Sequence, residues 1–246
     1  MGIYCIIFMV NEMYINIANI IIKVNNNYQF INAIANDFII DDPDYYDFEV
    51  RVTQEEIEHE NFDNLNVPIS YLESVAIHRA ISKHLTSFNA LIIHGASFKV
   101  DNNGFIISAK SGTGKTTHSL LLQKYLGDRF QWINGDKPIV RFINNDPIVF
   151  GTPFQGKEHY GNNISAPCKA LIFLERSEKN YVTKLDKRVV FRYLSLALVI
   201  EQNPKYVDMF FDLVNKFIES VDFYILHCNM ESDAAICSYE NIISKY

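Results

Sequence analysis

The 246-residue chain predicts an α/β protein in which a β-rich N-terminal region, residues 1–68, precedes a larger mixed domain, residues 69–246. Three observations carry this reading. Polar and apolar residues alternate at 14–17 and strictly at 48–52, the period-2 signature of half-buried strands. Residues 105–126, FIISAKSGTGKTTHSLLLQKYL, run from an apolar strand through a glycine-bearing loop into an amphipathic helix. Beyond Leu185 the apolar spacing becomes mostly helical, around one further strand at 223–226.

Composition sets the outer bounds. With 48% hydrophobic and 21% charged residues the chain resembles an ordinary globular protein able to bury a full core. A net charge of −7 argues against a nucleic-acid partner, which calls for clustered Lys and Arg, but leaves room for a local positive pocket that takes a nucleotide. Cys5, Cys168, Cys228 and Cys237 are scattered without a C-x-x-C pair, so neither a zinc site nor a disulfide framework is expected, and a cytoplasmic protein is. The apolar stretch at 2–10 lacks a basic lead and a cleavage site and reads as a strand; no run reaches the ~18 apolar residues of a membrane span. The oligomeric state stays open, a homo-oligomer included.

In chain order, Asn25-Asn26-Asn27 and Asp41-Asp42-Pro43-Asp44 punctuate the first strands, and Glu55, Glu56, Glu58 and Glu60 read as a solvated face. Ser70 and Glu73 form a capping-box pattern opening a helix whose buried stripe is Ile77, Ala80, Ile81, Leu85 and Phe88; His78 and His84 read as surface or packing residues. Leu91-Ile92-Ile93 and Phe105-Ile106-Ile107 suggest a hairpin turned by Asp101-Asn102-Asn103-Gly104. Leu121, Leu122, Tyr125 and Leu126 are expected to face the core, with Gly127 closing that helix. A strand at 131–133 ends in Asn134-Gly135-Asp136-Lys137-Pro138, and a second hairpin joins 139–143 to 148–150. The segment 151–161 has three glycines, a proline and several polar residues, which suits a binding loop. A buried strand at 169–175 ends in a structural Glu175-Arg176 pair, and helices are expected at 189–201, 207–220 and 232–244.

The chemistry centres on the loop after residue 107. A phosphate-binding loop is written G-x-x-x-x-G-K-[ST], and its backbone N–H groups wrap polyphosphate. Gly114, Lys115 and Thr116 supply the last three positions, while Ala109 stands at the first, which it can fill if its φ is negative. Nine of the ten glycines fall between Gly95 and Gly161, which marks the middle of the chain as the place where backbone turns sharply or approaches a ligand. Asp136 follows Lys115 by 21 residues, enough for one helix and a returning strand, and can approach a metal and γ-phosphate. His94 reads equally as a structural or a functional histidine, and Lys157 with Glu158 equally as a phosphate and metal contact or a surface ion pair.

His94-Gly95-Ala96-Ser97, then Ser111 to His118, then Asn134 to Pro138 resemble the HPr kinase/phosphorylase and phosphoenolpyruvate-carboxykinase-like P-loop group. Gly151-Thr152-Pro153, Gly156-Lys157-Glu158 and residues 170–176 resemble its serine-kinase-like branch. The resemblance spans roughly residues 70–246. It implies a strongly bent mixed sheet, use of ATP with Mg²⁺, and phosphoryl transfer to a hydroxyl of serine, a Ser-containing peptide or protein, or another small alcohol. His94-Gly95 matches the family's His-Gly pair, but Gly135-Asp136 matches only the second of its two aspartates, and its arginine- and glycine-rich segment has no clear copy here. Both departures weaken any transfer of the HPr protein substrate and of the reverse phosphorolytic activity.

The site expected from these readings has Ser111, Gly112, Thr113, Gly114, Lys115, Thr116 and Thr117 around the nucleotide. Lys115 would bridge the β- and γ-phosphates, and Thr116, Asp136 and Glu158 would serve the metal. Asp136 would take or orient the acceptor hydroxyl, His94 would orient Asp136 or the acceptor, and Lys157 would neutralise transferring charge. Two other classes fit less well: a nucleotide-binding sensor with little turnover, and a carboxykinase-like lyase.

Overall fold

In the computed structural model, residues 11–61 and 66–246 are described, and they fall into two units, 1–82 and 83–246. The strand expected at 2–10 lies outside the described residues. The architecture is mixed α/β, a small four-stranded sheet in the first unit and a larger mixed sheet in the second. No described helix is long and apolar enough to cross a membrane.

The first unit contains β1 (Asn11–Ile17), β2 (Ile20–Asn26), α1 (Phe30–Ile34), β3 (Ile39–Ile40), β4 (Phe48–Arg51), α2 (Gln54–His59) and most of α3 (Ile69–Leu85). Its strands lie in the order β3-β1-β2-β4. Ala18 and Asn19, both at positive φ, form the two-residue turn that pairs Ile17 with Ile20. That register puts Ile15, Ile17, Ile20, Ile22 and Val24 in the core.

Two expectations are corrected in this unit. The capping box opens α2, where Thr53 and Glu56 hydrogen-bond reciprocally, and not α3. Ser70 lies inside α3, and the fully buried Glu73 carboxylate instead accepts from Asn27 N (2.6 Å), Asn27 Nδ2 (3.0 Å) and Tyr28 N (3.0 Å). Three donors brought from distant sequence outcompete a local cap. Likewise Glu60 is not on a solvated face: its side chain is 4% exposed and accepts from Arg79 Nε and Nη2. These contacts, with the Phe30–Tyr71 ring pair, attach α3 to the β-rich region.

The second unit runs β5 (Ala90–Ile92), β6 (Ala96–Val100), β7 (Asn103–Ser108), α4 (Lys115–Leu126), β8 (Phe130–Asn134), β9 (Ile139–Ile143), β10 (Asp146–Phe150), β11 (Ser165–Arg176), β12 (Tyr181–Lys184), α5 (Lys187–Leu194), α6 (Val207–Ser220), β13 (Asp222–Cys228) and α7 (Ser232–Asn241). The long β11 joins two parts of the sheet. Its first residues pair antiparallel with β10, and residues 168–176 run parallel between β7 and β13. One core forms where α5 and α6 pack on this sheet and a second where α4 and α7 do.

The hairpin leading to the loop is β6–β7, with Val100 opposite Asn103, whereas β5 pairs with β9. The chain at 94–95 therefore changes partners between the two strands that the sequence merges into one. The core face of α4 is His118, Ser119, Leu122 and Leu126; Tyr125 is exposed. The helix expected at 189–201 stops at Leu194 because the chain beyond it is claimed by β5: Val199 N–H donates to Ile92 O, and Ile93 bridges Leu198. The second hairpin closes more tightly than expected, on Asn144 and Asn145 at positive φ.

Candidate functional site

β7 delivers the loop 109–114 to the N-terminus of α4. Gly112 and Gly114 take φ of +73° and +123°, a conformation that L side chains rarely adopt, and Ala109 keeps a negative φ as its place requires. Thr113 N–H closes a turn onto Lys110 O, and the first helical bond is His118 N–H to Gly114 O. The N–H groups of Lys115, Thr116 and Thr117 are thus the open donors of the first helical turn. Together with the helix dipole they make a place where an anion is stabilised. Lys115 Nζ folds back to Ala109 O at 3.2 Å, and Ser111 is exposed on the loop.

Arg176, at the end of β11, reaches the same loop. Its Nη2 donates to Gly112 O (2.5 Å) and its Nε to Thr113 O (3.3 Å). In place of the structural pair with Glu175 that the sequence suggests, Arg176 holds the loop, while Glu175 lies 3.5 Å from His227 Nδ1. Nothing local in the sequence signals this, because the contact joins residues 64 apart.

Asp136 lies just beyond β8, at the centre of a second cluster. Its Oδ1 is 3.3 Å from His94 Nε2 and its Oδ2 is 3.0 Å from Lys137 Nζ. Its own carbonyl accepts from Gly95 N–H. Burial pushes the Asp136 carboxyl up, but the His94 hydrogen bond and the Lys137 charge outweigh it and hold the group well below the usual carboxylate range. Burial also pushes the Lys115 ammonium down, against the pull of the Asp136 charge and with the push of Lys137. The Lys115 ammonium thus feels the charges of both Asp136 and Lys137, and Lys137, to which the sequence by itself assigns no role, joins the candidate site.

The scaffold under Asp136 is Asn134, fully buried. Its Oδ1 accepts from Asp136 N–H (2.8 Å) and Lys137 N–H (2.6 Å), an Asx turn, and its Nδ2 donates to Thr152 O and Oγ1. An Asn two residues ahead of a candidate acid, followed by Gly, is a legible signal for this role. Gly135 is needed for close approach: a Cβ there would sit 2.8 Å from Gln155 O and 3.0 Å from Tyr160 O. His94 is fixed from both ends, its N–H on Ala197 O (2.6 Å) and its carbonyl on Ser108 Oγ (2.8 Å).

The segment 151–161 runs along this cluster. A Cβ on Gly156 would lie 3.2 Å from Asp136 Cβ and 3.8 Å from Glu158 Oε2. Lys157 and Glu158 are exposed, and among the described residues neither forms an ion pair with Asp136, His94 or Lys115. Among the described residues no three His, Cys, Asp or Glu side chains gather as a metal group.

No family model matches the chain, and no curated protein matches it. Among solved structures, the chain is similar to the HPr(Ser) kinase/phosphatase from Coxiella burnetii, at 11% sequence identity and a TM-score of 0.38, over 63% of this chain and 89% of that one.

Proposed function

We propose that this protein is an ATP-dependent kinase that transfers the γ-phosphoryl group to a hydroxyl acceptor: serine, a Ser-containing peptide or protein, or a small alcohol. The observation that carries the reading is the Asp136 carboxylate held between His94 and Lys137, in a chain that also presents Lys115 at an open helix N-terminus. Phosphoryl transfer needs anchored phosphates, neutralised charge and an oriented nucleophile, and little else.

The N–H groups of Lys115 to Thr117 and the loop backbone hold the phosphates, and the Lys115 ammonium neutralises their charge. Asp136 orients the acceptor hydroxyl and receives its proton as the new P–O bond forms and ADP leaves. A carboxylate held this low is a weak base, which suits a loose transition state in which alignment matters more than early deprotonation. His94 positions Asp136, and Lys137 adds positive charge beside it. The oxygen donors Thr116 Oγ1, Asp136 and Glu158 suit Mg²⁺, which characteristically takes one or two carboxylates and completes its shell with phosphates and water. When bound, Mg²⁺ supplies charge neutralisation on the phosphates. Lys157 is the reserve cation of the 151–161 segment.

The test is incubation with γ-labelled ATP and Mg²⁺ against hydroxyl amino acids, Ser/Thr peptides and protein extract. Label in any acceptor, lost in Asp136→Asn but with ATP binding kept, supports the kinase. Lys115→Ala should weaken nucleotide binding about a hundredfold. Undiminished transfer by Asp136→Asn sinks the assigned role.

A second reading, a nucleotide sensor with little turnover, draws on the engagement of both Asp136 oxygens by neighbouring cations. It predicts nucleotide-induced thermal stabilisation with neither label transfer nor ATP consumption.

A further inference from the structure

The backbone of Lys137 is held on both sides. Its N–H donates to Asn134 Oδ1 at 2.6 Å, and its carbonyl accepts from Thr152 Oγ1 at 3.0 Å. Asn134 and Thr152 are both buried, and Asn134 Nδ2 donates to Thr152 Oγ1 at 2.9 Å, so the two anchors form one support. The next residue is fixed as well, since Ile93 N–H donates to Pro138 O. What remains adjustable is the Lys137 side chain, a flexible stem with a compact charge at its tip. That side chain is 26% exposed, shielded yet within reach of a solute. Its ammonium has three donors, and Asp136 Oδ2, at 3.0 Å, is its one hydrogen-bond partner among the described residues.

The proposed reaction disturbs this pair twice. The acceptor hydroxyl must approach a carboxylate whose Oδ1 faces His94 at 3.3 Å and whose Oδ2 faces Lys137, so it enters beside one of these groups. When Asp136 then receives the hydroxyl proton its charge disappears, and the Lys137 ammonium loses its counter-charge. A shielded cation left without a partner is costly. Lys115 carries the same sign and is already pushed down by Lys137, and the nucleotide phosphates are matched by Lys115 and the helix N-terminus. An anionic group on the acceptor itself removes the cost.

We infer that Lys137 selects the acceptor by pairing with a carboxylate or phosphate group close to the hydroxyl that is phosphorylated. The acceptors are then small hydroxy acids, such as free serine or glycerate, or phosphorylated alcohols, in preference to neutral alcohols. The inference rests on the proposed kinase reading and adds the class of acceptor and the residue that chooses it. In serine and in glycerate the carboxylate carbon is two carbon–carbon bonds from the terminal hydroxyl carbon, so one small molecule can present its hydroxyl to Asp136 and its charge to Lys137. The hydroxyl oxygen bonds to the γ-phosphorus, its proton passes to Asp136, and the bond from that phosphorus to ADP breaks. The acceptor's own anionic group stays ionised throughout.

Transfer rates from γ-labelled Mg·ATP to paired acceptors test this: L-serine against L-serinamide, and D-glycerate against glycerol, with glycerol 3-phosphate to tell phosphate from carboxylate. The wild type should favour the anionic member of each pair at least about tenfold in kcat/KM. Lys137→Ala should abolish the preference, raising the KM for the anionic acceptor more than that for ATP, and Lys137→Arg should restore it. Transfer to glycerol 3-phosphate but not to serine or glycerate supports the inference with phosphate as the group. Equal kcat/KM for charged and neutral acceptors in the wild type overturns it. So does a Lys137→Ala loss shared equally by both members of a pair, which assigns Lys137 to the transferring phosphoryl group. Label in Ser/Thr peptides or protein extract, with none in the anionic small acceptors, overturns the inference and keeps the kinase. No label in any acceptor removes both.

Discussion

Two carboxylates, one in each unit, show how differently the same chemistry is used. Glu73 is fully buried and bonded to two main-chain N–H groups and one amide, fixed dipoles with no proton to exchange. Asp136 has a side chain 32% exposed and is held by an imidazole and an ammonium, groups that can themselves exchange protons or contact an entering ligand. The first arrangement locks helix α3 to a turn of the sheet. The second keeps the carboxylate anionic and oriented while leaving about a third of it open to solvent, the property on which its proposed role rests. The partners of a buried acid, more than its burial, separate structure from chemistry.

Substitution at both positions breaks the comparison if it is wrong. Asp136→Asn should lower phosphoryl transfer about a thousandfold in single-turnover assays with nucleotide binding kept. Glu73→Leu should do the reverse, costing about 3 kcal/mol in denaturant unfolding through three unpaired donors, with nucleotide binding intact. Equal effects of both variants on transfer would erase the distinction.

Acid sharpens it further. The folded His118 takes its proton only near pH 4, whereas the unfolded ring takes it near 6.5. Protons bind preferentially to the unfolded chain, so stability should fall by about 3 kcal/mol as pH drops through that window. His118→Gln should flatten this slope between pH 6.5 and 4. Asp136 acts at lower pH: its depressed pKa contributes stability that is present above the ordinary carboxylate range and lost below it, a loss that Asp136→Asn should abolish. The smallest effect is expected at Gly156, at φ +79° and against Asp136, where Gly156→Ala should cost about 1 kcal/mol and shift the KM for the acceptor more than for ATP.

Much of the site is legible in the sequence because it is local. The strand, loop and helix of 105–126 depend on apolar periodicity, two glycines and a lysine within one stretch, and these dictate backbone geometry without help from elsewhere. Asp136 is legible for a related reason, since Asn134-Gly135-Asp136 builds its own turn. The contacts of Arg176 and His118 are not. Arg176 reaches its loop across 64 residues, and His118 meets Ser238 across 120. The helix expected at 189–201 fails likewise: its apolar spacing is compatible with helix as far as Ile200, but β5 offers the last residues an edge to pair with.

The sequence by itself determined the class of elements, the glycine-bearing turn ahead of α4 and the turn that carries Asp136, all set by steric and hydrogen-bonding rules within a few neighbours. The tertiary structure alone decided which strands flank the first of these turns, that His94 faces Asp136, and that His118 is buried with one nitrogen left over. Those outcomes depend on desolvation and on donors supplied by distant segments, which no single stretch of the chain contains.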